Sequence, residues 1–259
     1  MKAIILAAGR GSRLHPYTKN TPKCLTELAG ETLIGRQIKT LRECGIDEIV
    51  IVTGFMAHKL VLPDTKQVFN PFWATTNMVE SLFCAKEFFD DDIFVSYSDI
   101  IYESRNLKAL IESPHAVSVL VDRQWQVYWE HRFKDPLSDA ESLIMDDEGC
   151  ILDIGQKVVN IDSIEAQYMG LMRFQKGGVH ALKKAWNSLL TIRREWMERR
   201  LTKQAYMTDL LMEMIFLRIQ VHAVIVDGGW LEIDTVSDFE GATSMIVDGS
   251  ISRFYHFDS

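Results

Sequence analysis

Apolar residues fall in two rhythms along this chain: short unbroken runs, and longer stretches in which they recur every three or four positions. The first run, Ala3-Ile4-Ile5-Leu6, reads as a strand buried on both faces of a parallel sheet. Residues 33–44 place Leu33, Ile34, Ile38 and Leu41 at helical spacing and stop at Gly45, a residue suited to the left-handed turn that closes a helix. A β-branched run at 48–53, closed by Gly54, predicts the second strand, and 67–70 a short third one. Residues 76–89 predict a helix with Met78, Leu82, Ala85 and Phe89 on one side. The next strand, 93–97, runs into Ser98-Asp99. Strand and helix in alternation predict a doubly wound sheet with crossover helices.

The second half is less regular. Strands are predicted at 116–121, 149–153, 167–174 and 221–226, with long helices at 179–199 and 208–217. Residues 227–229 read as a turn, 230–234 as a strand, and a last helix opens at Ser237. Residues 124–139, rich in aromatics and charge, read as a long loop or extended excursion. No repeat, low-complexity tract or linker interrupts the chain. The expectation is one α/β domain over 1–259, a Rossmann-like mixed sheet flanked by helices.

Composition narrows the partners. A formal net charge of −8, with no basic stripe, argues against nucleic acid. Apolar residues at 47% and charged residues at 25% fit a globular protein able to bury a sizeable core. Met1-Lys2 leads straight into a strand, so no signal peptide is expected. No apolar run approaches the roughly 20 residues of a membrane span. A cytoplasmic protein is expected. Cys24, Cys44, Cys84 and Cys150 show neither metal spacing nor a disulfide framework.

The candidate chemistry begins where the first strand breaks, in Leu6-Ala7-Ala8-Gly9-Arg10-Gly11-Ser12-Arg13-Leu14, with Thr21-Pro22-Lys23 beyond it. Small residues at a strand's carboxyl end leave backbone N–H groups bare, and these can wrap phosphate oxygens. Arg13 and Lys23 add two cations to the same place. The dinucleotide fingerprint fails because Leu14 stands where its third glycine belongs, and no Gly-Lys-Ser/Thr follows as a Walker loop requires. Alone, Gly9-x-Gly11 also suits an ordinary strand-to-helix turn. Asp99, at the end of its strand, points either into a ligand crevice or into a turn. Asp234, in Trp230-Leu231-Glu232-Ile233-Asp234-Thr235, shares a face with Trp230 and Glu232, and alone could be a solvent-facing acid.

Taken together, these residues resemble the nucleotidyltransferase superfamily of GT-A-type fold, whose LAAGxGxRL…TPK signature matches from Leu6 to Lys23. The resemblance implies a triphosphate site at Leu6, Ala7, Ala8, Gly9, Gly11 and Ser12, with the base read near Asn77 and Ser81. It implies Arg13 and Lys23 as the catalytic cations and Asp99 and Asp234 as ligands of Mg²⁺, a hard ion content with one or two carboxylates plus phosphate oxygens. Ser98, where the family more often has glycine, is a mild departure. Residues 1–115 would then be mainly nucleotide-binding and 116–220 mainly acceptor-binding, with 221–240 returning to the metal site. Nucleotidyl transfer is an in-line attack of one phosphate oxygen on the α-phosphorus, with pyrophosphate leaving. Catalysis is then positioning and charge neutralisation.

The resemblance narrows to the phosphocholine cytidylyltransferase-like branch through Asn70-Pro71, Thr76-Asn77-Met78, Ser81-Leu82 and Val121-Asp122-Arg123. Residues 135–141, 164–170 and 206–208 are similar to CTP:phosphoglutamine cytidylyltransferases of bacterial capsule biosynthesis. This implies CTP and a small phosphorylated acceptor, either an amino-acid phosphate or phosphocholine, another phosphorylated amino alcohol, or a phosphonate. Trp125, Tyr128, Trp129 and Phe133 could cage a quaternary ammonium or simply pack. Both charge signs around them, Arg123 among them, lean towards an amino-acid-like acceptor. Lys157, Glu165 and Tyr168 are further acceptor candidates, and Thr208-Asp209 reads as either an N-cap or a contact. Competing readings are a sugar-1-phosphate nucleotidyltransferase, a glycosyltransferase, whose DxD motif Tyr97-Ser98-Asp99 lacks, and a silent nucleotide-binding module. A homodimer is possible through the apolar C-terminal helices.

Overall fold

The computed structural model describes residues 1–192, 194–197 and 200–257. The chain opens with β1 (Lys2–Ala7), passes through the glycine loop and a small hairpin of β2 (Glu27–Leu28) and β3 (Glu31–Thr32), and enters α1 (Leu33–Glu43). There follow β4 (Glu48–Thr53), β5 (Lys66–Phe69), α2 (Met78–Cys84), β6 (Ile93–Tyr97), β7 (Ile100–Tyr102) and α3 (Ser104–Glu112). The second half contains β8 (Val117–Asp122), α4 (Trp125–Arg132), β9 (Glu141–Met145), β10 (Ile151–Lys157), β11 (Gln167–Phe174) and α5 (Lys176–Thr191). It ends with α6 (Met207–Phe216), β12 (His222–Val226), β13 (Trp230–Glu232) and α7 (Val236–Asp248).

Seven strands form the central sheet in the order β12-β8-β11-β6-β1-β4-β5. It is mixed: β11 runs antiparallel to both its neighbours, and the remaining pairs are parallel. Its strands are buried on both faces, which is why they read as continuous apolar runs. In β1, Ala3, Ile5 and Ala7 face a core with α1, α3, α4 and α7, while Ile4 and Leu6 face a second core with α2, α5 and α6.

The chain leaves β1 for β4 and β5 on one side, then returns to β6 on the other. That reversal makes β1 and β6 the topological switch point, and open α/β sheets bind ligands beyond the carboxyl ends of such strands. Register puts Leu6 beside Tyr97, so the glycine loop and Asp99 leave the sheet at the same edge.

Several elements differ from expectation. Residues 124–139 are not a loop: Trp125, Tyr128, Trp129 and Arg132 form the buried stripe of α4. Aromatics are only middling helix formers and the fourth place on the stripe is charged, so hydrophobic periodicity hides the helix. The helix expected at 76–89 is the shorter α2, followed by a single 3-10 turn at Lys86–Phe88. The helix expected at 179–199 starts at Lys176 and ends at Thr191; Arg193, Glu198 and Arg199 lie outside the described residues. The strand expected at 230–234 stops at Glu232. The four cysteines are free thiols.

Candidate active site

Two strand ends and one returning hairpin build the site. Beyond β1, Gly11 sits at φ +64, and a Cβ there would come 2.7 Å from the Cβ of Lys23. Glycine therefore serves both the left-handed backbone and the close passage of the lysine stem. Thr18 fixes this loop by donating its hydroxyl to the Gly11 carbonyl at 2.7 Å. Beyond β6 comes Asp99. Asp234 arrives from far along the sequence because β13 pairs antiparallel with β7, and the Ile233 N–H donates to the Asp99 carbonyl at 2.8 Å.

Lys23, only 8% exposed, binds both carboxylates: its Nζ lies 2.6 Å from Asp99 Oδ2 and also bonds Asp234 Oδ1. Arg13 Nη1 is 2.6 Å from the other oxygen of Asp234, with its side chain largely in solvent. Burial opposes the charge on Lys23, but Asp99 and Asp234 outweigh it and hold its pKa above the ordinary lysine value. Asp99 Oδ1 is buried and has no hydrogen-bond partner among the described residues.

A second layer holds Asp234. Asp238, at the start of α7, accepts hydrogen bonds from the N–H groups of Asp234 at 3.1 Å and Thr235 at 2.8 Å, while Thr235 caps the helix. Arg132, from α4, reaches Asp238 at 3.0 Å and Glu232 at 2.6 Å. Burial works against the charge on Asp238, and Arg132 with these N–H groups still holds its pKa below the usual carboxylate value. Burial pushes Glu232 up to about 7 despite the pull of Arg132.

Two cavities of about 260 and 270 Å³ open side by side here and share Arg13, Met78, Tyr97 and Asp234. The first contains the glycine loop. Leu6, Ala8, Gly9, Gly11, Ser12, Arg13, Lys23, Asn77, Ser81, Asp99 and Asp234 line it, and Ala7 is buried in β1 just behind. Trp73 and Thr76, from the loop before α2, also face it. Asn77 caps α2 through its Oδ1, and Asn70 binds Ser81 at 3.0 Å.

The second cavity is lined by other residues than most of those expected for the acceptor. Tyr168 faces it. Arg123 is instead exposed and paired with Asp227 at 3.0 Å, and Trp125 packs in the core at 3% exposure. Lys157 is exposed at the end of β10, and Glu165 accepts from the Met145 N–H at 2.8 Å. None of these four lines either cavity. Of the clustered aromatics, Trp129 alone reaches the cavity. Asp139, Glu141, Gln167, Tyr206 and Thr208 complete its polar wall. All five fall on or beside the segments 135–141, 164–170 and 206–208, so the resemblance contained a signal that single-residue reasoning did not use. No histidine or cysteine is among the described residues lining either cavity.

Known proteins match this architecture. Residues 3–150 match the family model of the MobA-like NTP transferase domain. The chain is 37% identical over 251 residues to a CTP:phosphoglutamine cytidylyltransferase of Campylobacter jejuni, covering 93% of this chain and 98% of that protein. A choline-phosphate cytidylyltransferase of Streptococcus pneumoniae is 44% identical over 91 residues, 34% of this chain and 40% of that one. Among solved structures, the CTP:phosphocholine cytidylyltransferase from Streptococcus pneumoniae superposes with a TM-score of 0.70 at 23% identity, covering 95% of this chain and 98% of its own.

Proposed function

The chain belongs to the family of MobA-like NTP transferase domains, and on that premise we propose that it is a cytidylyltransferase joining CMP from CTP to phosphoglutamine. The observation that carries this reading is the continuous cleft, in which a triphosphate loop with its cations opens directly onto a second polar cavity. The choice of acceptor rests on a similarity that spans 93% of the chain and therefore runs well beyond the nucleotide half.

In this reading the first cavity takes CTP, with phosphate oxygens on the backbone N–H groups of residues 8–13. The acceptor phosphate enters from the second cavity. One of its oxygens attacks the α-phosphorus, the bond to the β-phosphate oxygen breaks, and pyrophosphate leaves. An ionised phosphate needs no general base, which suits a cleft without histidine among its described residues. Arg13, shared by both cavities, stands where it can contact either phosphate group, and Lys23 neutralises charge from below.

Asp99 and Asp234 fit a magnesium ion. Their donors are hard carboxylate oxygens, and Asp99 Oδ1 is buried without a partner. No group of three or more His, Cys, Asp or Glu side chains among the described residues could hold a metal ion, which suits an ion completed by phosphate oxygens. When bound, such an ion supplies positive charge to the triphosphate. No helix among the described residues is long and apolar enough to cross a membrane, and the reading places this reaction in the cytoplasm.

The test is pyrophosphate release by the purified protein with Mg²⁺, each nucleoside triphosphate in turn, and phosphoglutamine, phosphocholine or glucose 1-phosphate as acceptor. Release with CTP and phosphoglutamine is expected. A preference for UTP with glucose 1-phosphate, or no release with any pair, overturns the proposal.

A further inference from the structure

The second cavity has a feature that phosphate transfer leaves unused: an acidic floor facing a helix start. Glu232 is paired with Arg132, and Asp234 with Arg13 and Lys23. Glu141 and Asp139, by contrast, have no hydrogen bond or ion pair to their carboxylates among the described residues, although both line the cavity. Glu141 is nevertheless held in place. The Gln167 side chain donates to its carbonyl at 2.5 Å and accepts from its N–H at 3.2 Å. Burial, then Asp139 and Asp209, push the Glu141 carboxyl up to about 7, with Arg200 acting in the opposite direction. A carboxylate fixed at a cavity wall without a cation stands ready for one brought by a ligand.

Across the cavity stands Thr208. It is 4% exposed, and its hydroxyl has no hydrogen-bond partner among the described residues. Thr208 is the second residue of α6, whose first-turn N–H groups have no intrahelical acceptor. The acid beside it, Asp209, is already engaged by Arg200 at 2.8 Å and by the Tyr206 N–H at 2.8 Å. This helix start reaches the cavity because Gly155 of β10, at φ +79, leaves room: a Cβ there would come 2.3 Å from the Cβ of Thr208. Tyr168 and Trp129 close the sides.

Resting on the cytidylyltransferase reading above, we propose that this cavity is an amino-acid subsite. Glu141 receives the acceptor's α-ammonium, and the Thr208 hydroxyl with the first turn of α6 receives its α-carboxylate. The acceptor class is then a phosphorylated α-amino acid. A phosphorylated quaternary amine offers Glu141 a charge and leaves Thr208 without a partner.

Steady-state kinetics at saturating CTP test this with phosphoglutamine, its analogue lacking the α-amino group, and phosphocholine. The wild type should favour phosphoglutamine over the analogue roughly 10- to 100-fold in kcat/KM, the scale of one charge-assisted hydrogen bond. Glu141→Gln should abolish that preference, mainly through KM, and Glu141→Asp should restore part of it. Thr208→Val should lower kcat/KM for phosphoglutamine roughly 10-fold while leaving the phosphocholine value within about twofold. An active wild type whose preference survives in Glu141→Gln overturns the subsite and spares the reaction. Transfer to phosphocholine but not to phosphoglutamine overturns the subsite and the acceptor choice. No transfer to any of the three overturns the cytidylyltransferase reading and the subsite together.

Discussion

At the scale of single residues, Lys23 carries two roles that a motif match merges into one. Its ammonium lies between Asp99 and Asp234, so it keeps two buried acids from repelling each other as well as standing ready for phosphate. Lys23→Ala should therefore lower kcat by about 100-fold or more and also lower the unfolding temperature, because uncompensated buried charge is costly. Adding Mg²⁺ should recover more of that unfolding temperature in the variant than in the wild type, as scanning calorimetry would show. Glu141 makes the opposite prediction. Its pKa is about 7 in the fold against 4.5 for an ordinary glutamate, so between those values the unfolded chain is the more deprotonated and folding stability falls as pH rises. Glu141→Gln should be about 1–3 kcal/mol more stable than wild type at pH 8, with no difference below pH 4. Denaturant titrations at the two pH values check the sign. A residue that weakens the fold yet lines a cavity has the profile of a functional group.

At the scale of elements, α4 decides how firmly Asp234 is held. Its stripe inserts Trp125, Tyr128 and Trp129 into the core and delivers Arg132 to Glu232 and Asp238. Arg132→Met should cost about 3–5 kcal/mol, since it leaves two acids without their partner, and kcat should fall through the displaced Asp234. Urea melts and kinetics on the folded fraction separate the two effects. Glycine sets a second element. Gly155→Ala should push α6 from β10 and raise KM for the acceptor more than KM for CTP, because Thr208 lies on one side of the cleft only. The strands at 48–53, 93–97 and 167–174 were legible to the residue, since burial on both faces writes itself as an apolar run. The helix at Trp125–Arg132 was not, because its stripe mixes aromatics with an arginine whose partners lie about a hundred residues on.

At the scale of the whole molecule, β11 is the strand that makes the sheet one object. It lies between β6 and β8, so residues 3–150, the span of the family match, omit a strand from the middle of the sheet and also lack Asp234. A fragment ending at residue 150 should fail to fold cooperatively, and circular dichroism with thermal melting would show this against the full chain. The sequence alone determined the strands, the phosphate loop and the identity of its charged residues, because each is written in local order: apolar runs, small residues at a strand end, cations a few positions later. The tertiary structure decided which distant groups meet. It brought Asp234 beside Asp99 through the pairing of β13 with β7, and it sent Trp125 into the core and Arg123 into solvent. It assembled the acceptor cavity from β9, β11 and the start of α6, because contacts across the sheet depend on strand order and register, which spacing along the chain does not encode.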